Sequence, residues 1–132
     1  MALPTIKTTL NKQEMKLQAV RGATTSLSNS PKAISEAVTE LVCELVERNS
    51  LEVTQVVSIT FSATKDLDAC FPASIARKQP GWEKVALLDC QQMYVKGDLK
   101  NCIRILAHVW MPDEQTPQHT YLGKANMLRP DR

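Results

Sequence analysis

An arginine within an apolar segment is the residue of this sequence best suited to chemistry. Arg104 lies in residues 100–110, which are otherwise rich in β-branched and apolar side chains and therefore predict a strand. Removing a guanidinium group from water is costly, so it is favoured in such a strand only where an anion or a hydrogen-bonding partner meets it. The sequence thus predicts a site for an anion or a polar ligand around Arg104.

The alternation of residues along this strand predicts two unlike faces. One face carries Ile103, Ile105, Ala107, Val109 and Met111, and the other Cys102, Arg104, Leu106, His108 and Trp110. The first face is apolar enough to pack in a core. The second is mixed in character, which favours a surface that meets another subunit and lines a polar cleft.

Three further arginines lie in or beside predicted elements, namely Arg21, Arg77 and Arg129. Arg77 is also compatible with a cation that opposes a helix dipole, and Arg129 with a solvated surface residue. The sequence contains no Ser-His-Asp set, Cys-His pair or phosphate-binding loop. The arginines therefore favour binding of a small anion, particularly a carboxylate, which the guanidinium fork grips with two hydrogen bonds.

The elements that must position these side chains follow from hydrophobic periodicity. Ser30 and Pro31 predict the start of a long amphipathic helix that ends near Asn49. Strands are predicted at 17–24, 55–62, 82–89, 99–111 and 119–128, and a short helix at 71–77. This pattern is typical of the α+β class, with a mixed sheet of about five strands and both helices on one face.

A sheet covered on one side leaves its other face in solvent. Because the second face of the Arg104 strand is partly apolar, the economical arrangement is that several subunits pack these faces together. The sequence therefore predicts a homo-oligomer.

Composition excludes several other classes of protein. The chain of 132 residues fits one domain, over residues 15–132, after an N-terminal extension at 1–14 that is expected to be mobile. A net charge of +2 gives no basic field for nucleic acid, and no apolar run approaches the roughly 20 residues of a membrane span. The first residues lack the pattern of a secretory signal, so a cytoplasmic location is expected.

The cysteines and histidines do not predict a metal centre. Cys43, Cys70, Cys90 and Cys102 lie in apolar runs without close pairing, which favours buried free thiols over a metal or redox role. The two histidines are not in ligand spacing. No metal is expected.

A series of short blocks resembles a known enzyme family. The blocks are Val20-Arg21-Gly22-Ala23-Thr24-Thr25, Ser62-Ala63-Thr64-Lys65-Asp66-Leu67, Phe71-Pro72-Ala73 with Arg77, Gly81-Trp82, Gln91-Gln92-Met93, Leu99-Lys100-Asn101-Cys102-Ile103-Arg104, Tyr121-Leu122 and Leu128-Arg129-Pro130-Asp131. In this order, from about Met15 onward, they resemble the monofunctional chorismate mutases of the trimeric α/β class.

The resemblance implies a homotrimer whose sheets form a pseudo-α/β barrel, with active sites between adjacent subunits. It implies the Claisen rearrangement of chorismate to prephenate, a step towards phenylalanine and tyrosine. This reaction needs no cofactor and no covalent intermediate. Chorismate would be the small-molecule partner, with neither nucleic acid nor membrane involved.

The resemblance also implies roles for individual residues. Arg104 would donate to the ether oxygen as its C–O bond breaks, and Arg21 would hold a carboxylate. Tyr121 would hydrogen-bond near the enolpyruvyl side chain, and Arg77 and Arg129 would close over the pocket. The residues that would shape the pocket are Phe71, Ala73, Leu87, Leu88 and Leu128.

Three departures from the family pattern bear on the chemistry. Gln92 replaces a glutamate that sets a negative charge near the substrate ring, and Asp89 replaces a cysteine three positions earlier. We hypothesise that Asp89 supplies the missing carboxylate, the alternative being that Asp89 only ends a strand at a turn. Ser74 replaces a common lysine, which removes one positive charge at the pocket rim.

Two other functions are compatible with parts of this pattern. Enamine/imine deaminases have a similar trimeric architecture and bind a carboxylate through an arginine, but their sequence blocks differ. A non-catalytic module that binds chorismate or an aromatic metabolite is the other alternative, since loss of the family glutamate permits it.

Overall fold

The strand that carries Arg104 lies at the centre of a five-stranded sheet, in a computed structural model that describes residues 14–128. The strands are β1 (Met15–Thr25), β2 (Val56–Ala63), β3 (Ala86–Gln91), β4 (Cys102–Pro112) and β5 (Thr120–Tyr121). Their order in the sheet is β3-β2-β4-β1-β5. Strand β4 pairs antiparallel with β1 and β2, whereas β3 and β5 add parallel pairs at the two edges. The predicted mixed α+β sheet is confirmed.

Two helices cover one face of this sheet. Helix α1 (Pro31–Arg48) begins where predicted, because the Ser30 side chain accepts a hydrogen bond from the Ala33 N–H at 3.1 Å. Its buried side chains are Ile34, Ala37, Val38, Leu41, Val42 and Leu45. They form one apolar cluster with the short helix α2 (Pro72–Ala76) and with the predicted core face of β4. All five residues of that face are buried, so its prediction is confirmed.

The opposite face of the sheet is exposed in the single chain. Leu106 and Trp110 of β4 are 38% and 45% exposed, and Leu17 on neighbouring β1 is 50% exposed. Among residues 14–128, no helix is long and apolar enough to cross a membrane. The predicted extension at 1–14 lies outside the described residues except for Glu14, whose carbonyl accepts a hydrogen bond from the Asp113 N–H.

Two predicted strands are wrong in extent. Residues Trp82–Lys84 form a 3₁₀ turn that follows Gly81 with φ +85°, so β3 starts only at Ala86. Trp82 is buried like a strand residue, and burial alone does not distinguish a strand from a 3₁₀ turn. The last strand has two residues instead of ten, because Gly123 with φ +56° turns the chain into 3₁₀ structure over Gly123–Leu128.

Gly22 allows the edge strand β5 to join the sheet. A Cβ atom at this position would lie 2.6 Å from the carbonyl oxygen of Thr120 and 3.0 Å from a methyl group of Ile105. The nearer contact is with backbone, which no side-chain rotation can relieve. Only glycine therefore lets β1 and β5 pair here, and this pairing places Tyr121 opposite Ala23.

Buried Asn49 joins the end of α1 to the segment that leads into β5. Its amide nitrogen donates to the carbonyls of Leu45 at 2.8 Å and Gln118 at 3.0 Å, and its amide oxygen accepts from the Gln118 N–H at 2.7 Å. The residue is 1% exposed, so each of these bonds replaces water at a buried polar group. Asn49 thus fixes the chain next to His119.

We expect Asn49→Ala to lower the free energy of unfolding by about 2–4 kcal/mol, since it leaves buried backbone groups without partners. Urea denaturation monitored by circular dichroism measures this loss. The matched control is Arg48→Ala, at the residue before Asn49. It breaks an exposed ion pair with Glu44 and should change the free energy of unfolding by less than about 1 kcal/mol. Equal effects of the two substitutions would contradict the assigned role of Asn49.

Candidate active site

Four of the predicted site residues line one cavity on the exposed face of the sheet. This Arg104 cavity has a volume of about 400 Å³. It is lined by Arg21, Gly22, Thr60, Ser62, Arg104, Ile105, Leu106, Tyr121 and Leu128. Strand register explains the grouping, because Arg21 pairs with Leu106 and Ala23 with Arg104 on adjacent antiparallel strands.

The guanidinium group of Arg104 is only partly satisfied by its own chain. Its Nη2 lies 3.6 Å from Oδ2 of Asp98, and its buried Nε has no hydrogen-bond partner among residues 14–128. A buried donor left without an acceptor costs about 1–3 kcal/mol. This arrangement is suited to a ligand that brings an acceptor oxygen to the Arg104 cavity.

Arg21 is positioned through its backbone by a histidine. The Arg21 N–H donates to Nδ1 of His119 at 2.9 Å, which requires that this ring nitrogen carry no proton. Sequence reasoning considered His119 only as a metal ligand and missed this contact. No local signal identifies it, because the two residues are 98 positions apart in the chain.

Gln92 lies on the same side of the sheet as Arg104. The Ser62 hydroxyl donates to the amide oxygen of Gln92 at 2.8 Å, and Ser62 is opposite Arg104 in the β2–β4 ladder. This hydrogen bond fixes the orientation of the amide. A carbonyl oxygen can accept a second hydrogen bond, so Gln92 keeps some acceptor capacity but no charge.

A second group of predicted residues lines a separate cavity of about 630 Å³. Its lining residues are Ala63, Thr64, Lys65, Leu67, Asp68, Ala69, Cys70, Phe71, Pro72, Ser74, Asp89, Cys90 and Gln91. In this Phe71 cavity the residue Phe71 is 69% exposed, and the Ser74 hydroxyl donates to the Phe71 carbonyl at 2.8 Å. An exposed aromatic ring at a cavity rim can contact a ligand or another subunit.

Asp89 points towards α2, on the face of the sheet opposite Arg104. Its Oδ1 accepts a hydrogen bond from the Ala73 N–H at 2.9 Å, in the first turn of that helix. Burial raises the pKa of the Asp89 carboxyl above its ordinary value of 3.8, although the Ala73 hydrogen bond and the nearby charge of Arg77 act in the opposite direction. Asp89 lies within β3, so the alternative that it ends a strand at a turn is wrong.

The remaining predicted residues occupy different environments. Ala73 is buried in the core and Leu87 packs partly against it, whereas Leu88 is 63% exposed. Arg77 follows the last residue of α2 and is exposed. Arg129 lies outside the described residues. Within one chain, seven of the predicted site residues therefore line two different cavities, four in the Arg104 cavity and three in the Phe71 cavity. Gln92 lines a third cavity.

The nature of these groups defines the class of site. The Arg104 cavity offers two arginines and a tyrosine, and within residues 14–128 no group of three His, Cys, Asp or Glu residues could hold a metal ion. Such a set can bind carboxylates and stabilise a developing negative charge on oxygen. The fold and the site together define an α+β protein with a cavity suited to a small anionic ligand.

Comparison with known proteins identifies the family. The model of chorismate mutase type I matches residues 17–132, so the chain belongs to this family. The chain is 38% identical to chorismate mutase AroH of Bacillus subtilis, over 89% of this chain and 93% of that protein. It is also 38% identical to chorismate mutase AroH of Thermus thermophilus, over 87% and 95% of the two chains.

A solved structure agrees with this assignment. The chorismate mutase Cth-682 of Clostridium thermocellum superposes with a TM-score of 0.77 at 38% identity, covering 83% of this chain and 98% of that one. The resemblance inferred from the sequence blocks is confirmed.

Proposed function

We propose that this chain converts chorismate to prephenate at sites shared between subunits of a homotrimer. One subunit would contribute the Arg104 cavity and its neighbour the Phe71 cavity. The observation that carries this arrangement is that seven predicted site residues are divided between two cavities of one chain. The exposed apolar side chains Leu106, Trp110 and Leu17 support subunit contact through the uncovered sheet face.

Arg104 is the principal catalytic residue in this proposal. In the rearrangement one C–O bond breaks while one C–C bond forms within the same molecule, so no atom enters or leaves. Negative charge grows on the ether oxygen as its bond breaks. The Nε–H of Arg104, which lacks a partner among the described residues, is suited to donate a hydrogen bond to this oxygen.

The other residues hold the substrate in a reactive shape. Arg21 binds a carboxylate and Tyr121 hydrogen-bonds near the enolpyruvyl group, with Leu128 beside them in the Arg104 cavity. From the neighbouring subunit, Arg77 adds positive charge. Further contacts in this proposal come from Arg129, Phe71, Ala73, Ser74, Leu87 and Leu88. Confining a flexible dianion to its compact conformer lowers the entropic part of the barrier.

Asp89 supplies the carboxylate that Gln92 cannot provide. Asp89 lines the Phe71 cavity, so a neighbouring subunit can bring it to the Arg104 cavity, whose lining residue Ser62 donates a hydrogen bond to Gln92. A carboxylate accepts hydrogen bonds at both oxygens, and the described bond to Ala73 uses Oδ1. Negative charge at this point would stabilise the substrate ring as its carbons become cationic.

Asp89→Asn is therefore expected to lower turnover of chorismate by about tenfold or more, since it removes a charge that acts in the transition state. Wild-type activity should also fall as the pH decreases through the raised pKa of Asp89, above 3.8, because the protonated carboxyl has no charge. The variant should lack this pH dependence. Steady-state rates between pH 4 and pH 8 test both points.

Glu83→Gln is the matched control for this experiment, because Glu83 is an exposed carboxylate in the turn before β3. It should keep the wild-type rate and pH profile. If Asp89→Asn turns over chorismate as fast as the wild type does, Asp89 only caps α2. The hypothesis that Asp89 supplies the missing carboxylate is then wrong.

The proposed function is tested by following the loss of chorismate absorbance and the formation of prephenate with purified chain and no added cofactor. Turnover supports an isomerase that acts in aromatic amino acid biosynthesis. Binding of chorismate without turnover would instead indicate a binding module. The cytoplasm is the proposed location, which is supported by the finding that all four cysteines are free thiols. The expected burial of these thiols is wrong for Cys43 and Cys90, which are exposed, whereas Cys102 is buried.

A further inference from the structure

We infer that Asp98 is a positioning residue that orients the guanidinium group of Arg104 for the reaction. This inference rests on the proposed function and adds to it a residue that neither the arginine pattern nor the family resemblance indicated. The structure brings Oδ2 of Asp98 to within 3.6 Å of Nη2 of Arg104.

The Asp98 carboxylate is itself held in place by backbone. Its Oδ1 accepts a hydrogen bond from the Leu99 N–H at 2.8 Å, and the Asp98 N–H donates to the Val95 carbonyl at 3.0 Å. Gly97 has φ +84°, a conformation that favours glycine and closes this turn. Because Oδ1 of Asp98 is fixed, Oδ2 is directed at Arg104. The Asp98 side chain is only 26% exposed.

Few other polar groups could define the orientation of Arg104. The Cys102 thiol interacts with Arg104 from the same face of β4, but a thiol is only a weak hydrogen-bond partner. The ladder partner Ala23 is apolar, and the hydroxyl of the other partner, Ser62, is engaged by Gln92. The pair with Asp98 is the ion pair that Arg104 makes within residues 14–128. Holding Nη2 towards Asp98 leaves the buried Nε to donate to a ligand.

This pair has opposite consequences for catalysis and for binding. An oriented donor needs no reorganisation when charge develops on the substrate, which favours the chemical step. The negative charge of Asp98, however, repels a dianionic ligand in the same cavity. Removal of that charge should therefore slow the reaction while it tightens the binding of an anion.

The test is Asp98→Asn, compared with the wild type in steady-state turnover of chorismate and in calorimetric binding of prephenate. We expect kcat to fall about tenfold, because the donor loses its fixed orientation. Prephenate should bind about threefold more tightly at low salt, and this gain should shrink at high ionic strength. Asp98→Glu, which retains the charge, should recover part of kcat and lose the gain in binding.

Asp113→Asn is the matched control, because it removes an exposed carboxylate beyond the far end of β4, about 30 Å along the strand from Arg104. This control should change neither kcat for chorismate nor the affinity for prephenate. If Asp98→Asn leaves kcat unchanged, or weakens turnover and binding together, the positioning role is wrong while the proposed function stands. A wild type that binds prephenate but does not turn over chorismate would overturn the proposed function and this inference with it.

Discussion

Replacing Arg104 by lysine is expected to lower kcat/KM for chorismate by on the order of 10² to 10³, which is the usual cost of losing one donor to a developing oxyanion. Lysine keeps the positive charge but carries three donors on a single nitrogen, without the planar fork. It cannot contact Asp98 through one nitrogen and a substrate oxygen through another. Because the lost interaction strengthens in the transition state, most of the effect should appear in kcat.

Arg48→Lys provides the matched control, since Arg48 forms an exposed ion pair with Glu44 on the outer side of α1. It should keep wild-type kinetics. Circular dichroism and thermal melting of both variants establish that the fold is retained. An Arg104→Lys variant with kcat within about twofold of the wild type would show that charge alone suffices at this position.

Mixing two impaired variants is expected to raise activity above that of either variant if the site is shared between subunits. Arg104→Ala removes the donor of one cavity, and Arg77→Ala removes a cation beside the other, which should cost more than about tenfold in rate for a charged contact. In randomly mixed trimers prepared from equal amounts, roughly a quarter of the intersubunit sites combine two intact halves. Activity should therefore rise to about a quarter of the wild-type value.

The informative control is a mixture of Arg104→Ala with Arg21→Ala. Both residues line the same cavity, so no mixed trimer can contain a site with both arginines intact. This mixture should stay inactive. Recovery in neither mixture, with trimers present by light scattering, would mean that each chain builds its site alone and would contradict the shared arrangement.

Features governed by local periodicity could be predicted from the sequence. The two faces of β4, the long helix with Ser30 as its cap and the mixed sheet all follow from where apolar residues recur. The grouping of Arg21 with Arg104 also followed, because the sequence blocks resembled a family in which both contact the substrate.

Features that depend on distant contacts or on single backbone angles could not be predicted. The bond from Arg21 to His119 and the approach of Asp98 to Arg104 require the folded register of β1, β4 and the loops between strands. The side of the sheet on which Asp89 lies depends on the start of β3, which Gly81 delays to Ala86. Alternation alone does not place that start.

Gly22 has a consequence for reading a saturation-mutagenesis screen of this enzyme. Any side chain there would collide with the Thr120 backbone, so such clones would score as inactive alongside those altered at Arg104. The two kinds of defect differ in their response to heat. Clones altered at Gly22 would lose the pairing of β5 and become temperature-sensitive, whereas an altered Arg104 would remain inactive in a chain that stays folded at every growth temperature.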